Sequence, residues 1–400
     1  MRARCSVSVR ARYAIVSAVY ASYGAARSLA LALARRAPWS VRHAVPAASA
    51  DGRARGGAPP PASSLVESLA ARGHLIDPLK VTLGEPLRAR ASYARCARAT
   101  WRGMEAVAKV FPEDAEGEAT HAAEALMLSS LGAHRSIVRF LGATARAPRM
   151  LVLQWAAGGS LHDDVHNAGR AVGTGGDVGV GRDERIDARR APAVPAAQPA
   201  RSRWARDVRR ALNVCAALEH MHSLQPPVLH RDVKASNVLL SAADPATGRA
   251  APAASALLCD FGSACVLPAN ESDSLGIGTP GWMAPELLGA DGAVHCGCAA
   301  DVYSFGALLY ELAAGALPYA NLAEAEMMRA AASGTSPLDH APLPADTPAP
   351  LSALMRDCLA FDARERPDAR RVSERLAELL AELLGEGREG EREGLSCATA

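Results

Sequence analysis

From about Val66 onward the apolar positions of this chain fall into a regular order. Residues 83–110 alternate apolar and polar side chains in runs broken by turn residues, which predicts strands. Residues 118–131 change to helical spacing, with Leu128 and Leu131 on the face that carries Glu124. Two short β-type runs follow, 137–141 and 150–154. Val208, Leu212, Cys215 and Leu218 line one side of a predicted amphipathic helix over 207–222. Apolar helices are predicted over 299–315 and 351–359. A last helix, 371–384, has Val372, Leu376, Leu379, Leu380 and Leu383 at helical spacing and Gly385 as its C-cap. Residues 167–203 and 243–255 have no period, and both read as low-complexity insertions.

The flanks are of a different kind. Residues 1–50 hold eight arginines and no Asp or Glu, the pattern of an organelle transit peptide or of an unstructured extension shaped by base composition. Residues 51–63 are rich in Gly, Pro and Ala and read as a linker, so 1–65 form a disordered or transit-like extension. The Gly-rich, mixed-charge stretch 385–400 reads as a solvated tail.

Four hundred residues are enough for two or three domains plus tails. A formal net charge of +2 gives no global drive toward nucleic acid or a membrane surface. Runs of about 20 uncharged apolar residues do not occur, so a spanning helix is not expected. The nine cysteines have no regular spacing, which fits a reducing compartment rather than a disulfide scaffold. The basic residues are more informative. Of 44, only Lys80, Lys109 and Lys234 are lysine. Where arginine is so strongly preferred, a retained lysine marks a position that needs a compact point charge, such as a phosphate contact.

The segment 228–240 contains Asp232, Lys234 and Asn237 in a loop between apolar runs. In such a loop the Asp accepts a hydroxyl proton, the Lys neutralises a γ-phosphate and the Asn holds a metal. Asp260-Phe261-Gly262 follows another β-type run, and its carboxylate suits a Mg²⁺ that bridges phosphates. Upstream, Lys109 ends the run 106–109 and Glu124 lies fifteen residues later on the predicted helix, the spacing of a phosphate-holding Lys–Glu pair.

Taken together these motifs resemble a eukaryotic protein kinase domain, most similar to the tyrosine-kinase-like group of Raf-like and mixed-lineage serine/threonine kinases. The resemblance covers 78–384. It includes His230-Arg231-Asp232, Gly278-Thr279-Pro280-Gly281, Ala284-Pro285-Glu286, the Asp301 motif and Arg366. It implies an α+β, bilobal protein kinase fold: a small, mainly β N-lobe at 78–153, a hinge at 154–156 and a larger α-helical C-lobe at 157–384. It implies ATP and Mg²⁺ as cofactors and protein substrates with Ser or Thr acceptors. By the same resemblance Asp232, Lys234 and Asn237 are catalytic, and Asn237 and Asp260 hold metal. Lys109, Glu124, Ala89, Ala91, Cys96, Val107, Gln154, Ala156, Leu239 and Cys259 surround the nucleotide. Leu153 is the gatekeeper, Glu286 and Arg366 form a buried ion pair, and Asp301 braces the catalytic loop. His230 is a packing residue, and Cys259 is an inert thiol lining the pocket. The segment 260–286 is an activation segment. A phosphate placed on its Ser272 or Ser274 by an upstream kinase or by autophosphorylation pairs with Arg231. Cytoplasmic residence is expected, with an organelle as the alternative if 1–50 is a targeting sequence.

One motif departs from the family. Its glycine-rich loop aligns with 89–94, where Ala89, Ala91 and Ala94 occupy the glycine positions. Alanine stiffens the loop and holds its amides farther from phosphates, which predicts weaker nucleotide binding. A pseudokinase scaffold is the alternative reading. A small-molecule phosphotransferase of the aminoglycoside type shares the catalytic-loop spacing but not Asp260-Phe261-Gly262, Ala284-Pro285-Glu286 or the Asp301 motif. The run 295–298, His-Cys-Gly-Cys, has half the ligands of a zinc site and no matching pair, so it reads as loop thiols.

Overall fold

The computed structural model describes residues 62–87, 94–166, 200–243, 250–268, 276–288 and 297–385. Helix α1 (Ala62–Ala71) leads into strand β1 (Leu75–Ile76). Strands β2 (Val81–Pro86), β3 (Arg95–Trp101) and β4 (Met104–Val110) form an antiparallel meander. The β3–β4 turn is Arg102-Gly103, both at positive φ, as a two-residue hairpin of matching twist requires. Helix α2 (Ala115–Leu131) follows, then β5 (Phe140–Thr144) and β6 (Met150–Gln154). These six strands make one sheet in the order β1-β5-β6-β4-β3-β2.

Helix α2 starts where Asp114 accepts the Gly117 N–H at 2.7 Å and stops at Gly132, at φ 71°. Glu124, Leu128 and Leu131 are buried on its inner face.

The remaining elements are mostly helical. Helix α3 (Leu161–His166) precedes the long α4 (Ala200–Ser223), and β7 (Val228–Leu229) pairs with β10 (Cys265–Val266). Between them β8 (Val238–Ala243) and β9 (Ala250–Leu258) form a hairpin. Helices α5 (Cys298–Ala314), α6 (Glu324–Ala332), α7 (Pro337–His340), α8 (Ala349–Cys358) and α9 (Ala369–Leu384) complete the fold. The core beneath them runs from Leu128 and Leu151 through Val214, Leu218 and Phe305 to Leu376. The result is an α+β molecule with a sheet-based lobe and a helical lobe.

Several boundaries differ from the sequence pattern. The small lobe begins before 78: Leu69 of α1 is fully buried in the main core, and β1 pairs in parallel with β5. The segment 243–255 is not simply an insertion, because β9 starts at Ala250 and pairs with β8 through Ala243↔Ala250 and Ser241↔Ser255. An alanine-rich strand carries no alternation to detect, and backbone pairing supplies its order. The predicted insertion 167–203 gives its last four residues to α4. Within 137–141, Ile137 makes a single bridge to Leu258 and the strand itself runs Phe140–Thr144. Of the predicted extension 1–65, residues 62–65 open helix α1, and Gly385 of the predicted tail 385–400 caps α9; residues 1–61, 167–199 and 386–400 lie outside the described residues.

Candidate active site

The period-two alternation of β3, β4 and β6 sorts their side chains. Ala106 and Ala108 pack with Ala99, Trp101 and Val152 on one sheet face. Cys96 pairs with Lys109, and Lys109 with Leu151; Val107 pairs with Leu153. Register therefore puts Cys96, Val107, Lys109 and Leu153 together on the opposite face, which looks toward the helical lobe. Gln154 ends β6, where its N–H donates to Arg139 O at 2.9 Å, and Ala156 just beyond is buried. Ala89 and Ala91 lie outside the described residues, while Ala94 is buried in the main core.

Lys109 links the two lobes. Its Nζ donates to both Glu124 oxygens at 2.9 Å and to Asp260 Oδ1 at 2.9 Å. Burial opposes its charge, but the two carboxylates outweigh that and hold its pKa above the usual lysine value. Asp260 keeps 41% of its side chain exposed, and it sits at φ 63°, a strained conformation for a non-glycine residue. Burial works to raise the Asp260 pKa; the Lys109 ammonium overcomes it and keeps the carboxylate below its ordinary range.

The loop between β7 and β8 carries a second cluster. Lys234 Nζ and Asn237 Nδ2 each donate to Asp232 Oδ2 at 2.8 Å. Thr279 Oγ1 donates to Asp232 Oδ1 at 2.6 Å and accepts from Lys234 Nζ. Asn237 Nδ2 also donates to the Asp232 carbonyl at 2.8 Å. Asp301 at the start of α5 fixes the loop: its oxygens accept the His230 and Arg231 N–H groups at 2.8 Å and His222 Nε2 at 2.9 Å. Burial would raise the Asp301 pKa, but the His222 hydrogen bond leads the groups that lower it. Arg231 is at φ 65°, and its Nε donates to Ser263 O. His230 is fully buried, edge-on to Phe261 with ring centroids 5.0 Å apart, in the packing role expected of it.

Leu239 and Cys259 are partly buried and pack against the main core. Burial pushes both the Cys259 and Cys96 thiols up, so they are neutral, poor nucleophiles. Farther out, Arg366 donates to Glu286 at 2.7 and 2.8 Å, to Ala299 O at 2.9 Å and lies over the Tyr303 ring. Asn237 and Asp260 offer hard oxygen donors, and Lys109 and Lys234 offer two cations. This donor set suits Mg²⁺ and the phosphates of a nucleotide.

Thr279 stands in the Gly278-Thr279-Pro280-Gly281 run, which by itself assigns it no contact. The structure places its hydroxyl directly on Asp232. Its only sequence signal was the Gly-Thr-Pro-Gly run. Ser272 and Ser274 lie outside the described residues.

A sheet-based lobe and a helical lobe joined by a Lys–Glu–Asp bridge over an Asp–Lys–Asn loop define a protein kinase domain. The profile of the family described as protein tyrosine and serine/threonine kinase matches residues 81–376, and the chain belongs to that family. Human mitogen-activated protein kinase kinase kinase 7 is 28% identical over 292 residues, 72% of this chain and 40% of that protein. Serine/threonine-protein kinase CTR1 of Arabidopsis thaliana is 27% identical over 281 residues, 69% of this chain and 29% of that protein. Mitogen-activated protein kinase kinase kinase dlk-1 of Caenorhabditis briggsae is 37% identical over 149 residues, 37% of this chain and 16% of that protein. In each case the chain spans less than half the length of the relative. These relatives support a kinase domain of the tyrosine-kinase-like type.

Proposed function

We propose that this protein is a serine/threonine protein kinase that moves the γ-phosphoryl group of ATP to hydroxyl groups of other proteins. The observation that carries this reading is the intact Asp232–Lys234–Asn237 cluster, held by Asp301 and set below a charged Lys109–Glu124 pair. Mg²⁺-ATP, when bound, supplies the phosphoryl group and the metal charge that offsets its phosphates. Lys109 orients the phosphates, and Asp260 and Asn237 hold the metal. Asp232 accepts the hydrogen bond of the acceptor hydroxyl and takes its proton as the new O–P bond forms and the bond from the γ-phosphorus to the ADP leaving group breaks. Lys234 faces the charge that develops on the transferring group, so the protein's contribution is placement and electrostatics. Cys96, Val107, Gln154, Ala156, Leu239 and Cys259 line the base-binding part of the cleft. Phosphorylation of Ser272 or Ser274 raises activity by pairing with Arg231. The site of action is the cytoplasm, with an organelle as the alternative if residues 1–50 are a targeting sequence.

The completeness of the charged set favours catalysis over a scaffold role. The test is label transfer from ATP by the full chain to a library of serine, threonine and tyrosine peptides, beside Asp232→Asn. Labelled Ser and Thr with the wild type and none with the variant is expected. Equal labelling by both chains, or labelling of tyrosine alone, overturns the reading.

A further inference from the structure

Helix α3 presents His162 and His166, one helical turn apart, to the buried carboxylate of Glu311 on α5. His162 Nδ1 lies 3.2 Å and His166 Nε2 3.0 Å from the same oxygen, Glu311 Oε1. The side chains are 13%, 19% and 0% exposed, so the cluster is sheltered but reachable from solvent at its histidine edge. The two rings stand 4.4 Å apart at a 44° tilt. All three potential ligand atoms fall within 4.8 Å of one another.

We propose that His162, His166 and Glu311 form a binding site for a divalent transition-metal ion, Zn²⁺ above all, separate from the Mg²⁺-nucleotide site. Two imidazoles and one carboxylate are a zinc-binding set with the fourth position left to water. A His pair at i,i+4 on one helix, completed by a carboxylate from elsewhere, is an arrangement zinc sites use. Ligand atoms around a tetrahedral zinc stand about 3.3 Å apart, given bonds of about 2.0–2.2 Å. Two of the three separations already match this, and the third closes by at most about 1.5 Å. Mg²⁺ is a poor competitor, because it prefers oxygen ligands and imidazole suits zinc. Without metal, the imidazoles serve as hydrogen-bond donors to the carboxylate. Binding needs the lone pairs of His162 Nδ1 and His166 Nε2, so each ring's proton moves to its other nitrogen.

The site has an outer support that fixes its carboxylate. Glu311 Oε2 accepts the N–H of Ala235 at 3.3 Å, and Ala235 follows Lys234 in the catalytic loop. Such outer contacts orient a metal ligand and raise its affinity. An occupied site therefore ties α3, α5 and the catalytic-loop backbone together and stabilises the folded chain by mass action.

The test uses the full chain, stripped with a chelator and returned to excess Mg²⁺. Titration calorimetry with Zn²⁺ is expected to give one ion per chain at neutral pH, with a rise in melting temperature. His162→Gln and His166→Gln each weaken zinc binding at least about tenfold and abolish the thermal shift. Cys296→Ser/Cys298→Ser leaves both unchanged. Co²⁺ gives the visible bands of a four-coordinate nitrogen and oxygen site, a reading on the wild type that holds even if a histidine variant fails to fold. No zinc binding, wild-type zinc affinity retained in both histidine variants, or a thiolate-to-cobalt charge-transfer band each overturns the proposal.

Discussion

At the scale of single residues, charge and burial act against each other, and the outcome depends on partners. Lys109 is buried, yet two carboxylates keep it charged. Lys109→Arg keeps the charge but replaces a point donor with a planar fork that cannot serve Glu124 and Asp260 in the same way. Turnover is expected to fall at least about a hundredfold, with an unchanged circular dichroism spectrum and two-lobed fold. His121 shows the opposite balance. It is 1% exposed on α2, beside Phe111 and Met150 O, and burial lowers its pKa to about 4. The unfolded chain takes up a proton near pH 6.5, and the folded chain resists until about pH 4. This contribution to stability is complete above about pH 6.5 and is lost as the pH falls toward 4. Between pH 7 and 5 the loss is about 2 kcal/mol. Chemical denaturation at both pH values, for wild type and His121→Gln, checks this: the variant should lose less stability on acidification by about that amount.

At the scale of elements, the catalytic residues are only as well placed as the caps and turns that aim their helices and strands. Helix α2 carries Glu124, and its N-terminus depends on Asp114. Asp114→Ala removes a cap worth about 1 kcal/mol, read from urea unfolding. It is also expected to raise the ATP KM, because the Lys109–Glu124 pair depends on the position of α2. Gly117, in the first turn, has no room for a side chain: a Cβ there would lie 2.1 Å from Pro112 O. The β2–β3 hairpin carries the alanine-substituted loop. Ala94 is buried in the core and is best left alone, which narrows the change to Ala89 and Ala91. Ala89→Gly/Ala91→Gly is expected to tighten nucleotide binding severalfold by calorimetry, since glycine lets backbone amides approach phosphates. A weaker interaction instead would mean that the entropy of a floppier free loop dominates.

At the scale of the whole molecule, a few long-range polar contacts hold the lobes and the loops around the catalytic centre. Arg366, just before α9, reaches Glu286 eighty residues earlier, and both are buried. Glu286→Ala leaves that guanidinium without its carboxylate. It is expected to cost about 3–5 kcal/mol in unfolding free energy, and Tm measurement beside Arg366→Ala should find a similar loss. Asp301 acts in the same way on the catalytic loop, across about seventy residues.

The division between sequence and tertiary structure follows from range. Local periodicity determined α2, the β3–β4 hairpin, α4, α5 and α9, because helix and strand spacing and turn chemistry are encoded within a few residues. The order of Lys109, Glu124, Asp232, Asn237 and Asp260 was legible because phosphoryl transfer demands those residue types at fixed places in the fold. The β9 strand was not legible, since alanine has no side-chain alternation to read and its order comes from pairing with β8. Helix α1 and β1 joined the fold through the burial of Leu69 and pairing with β5, contacts that composition does not reveal. The closure of Thr279 on Asp232 spans 47 positions, and the meeting of His162 and His166 with Glu311 spans 149 and 145. Which side chains meet at such separations is decided by how the elements pack. The sequence determined the chemistry of the chain, and packing chose the partners of its charged groups.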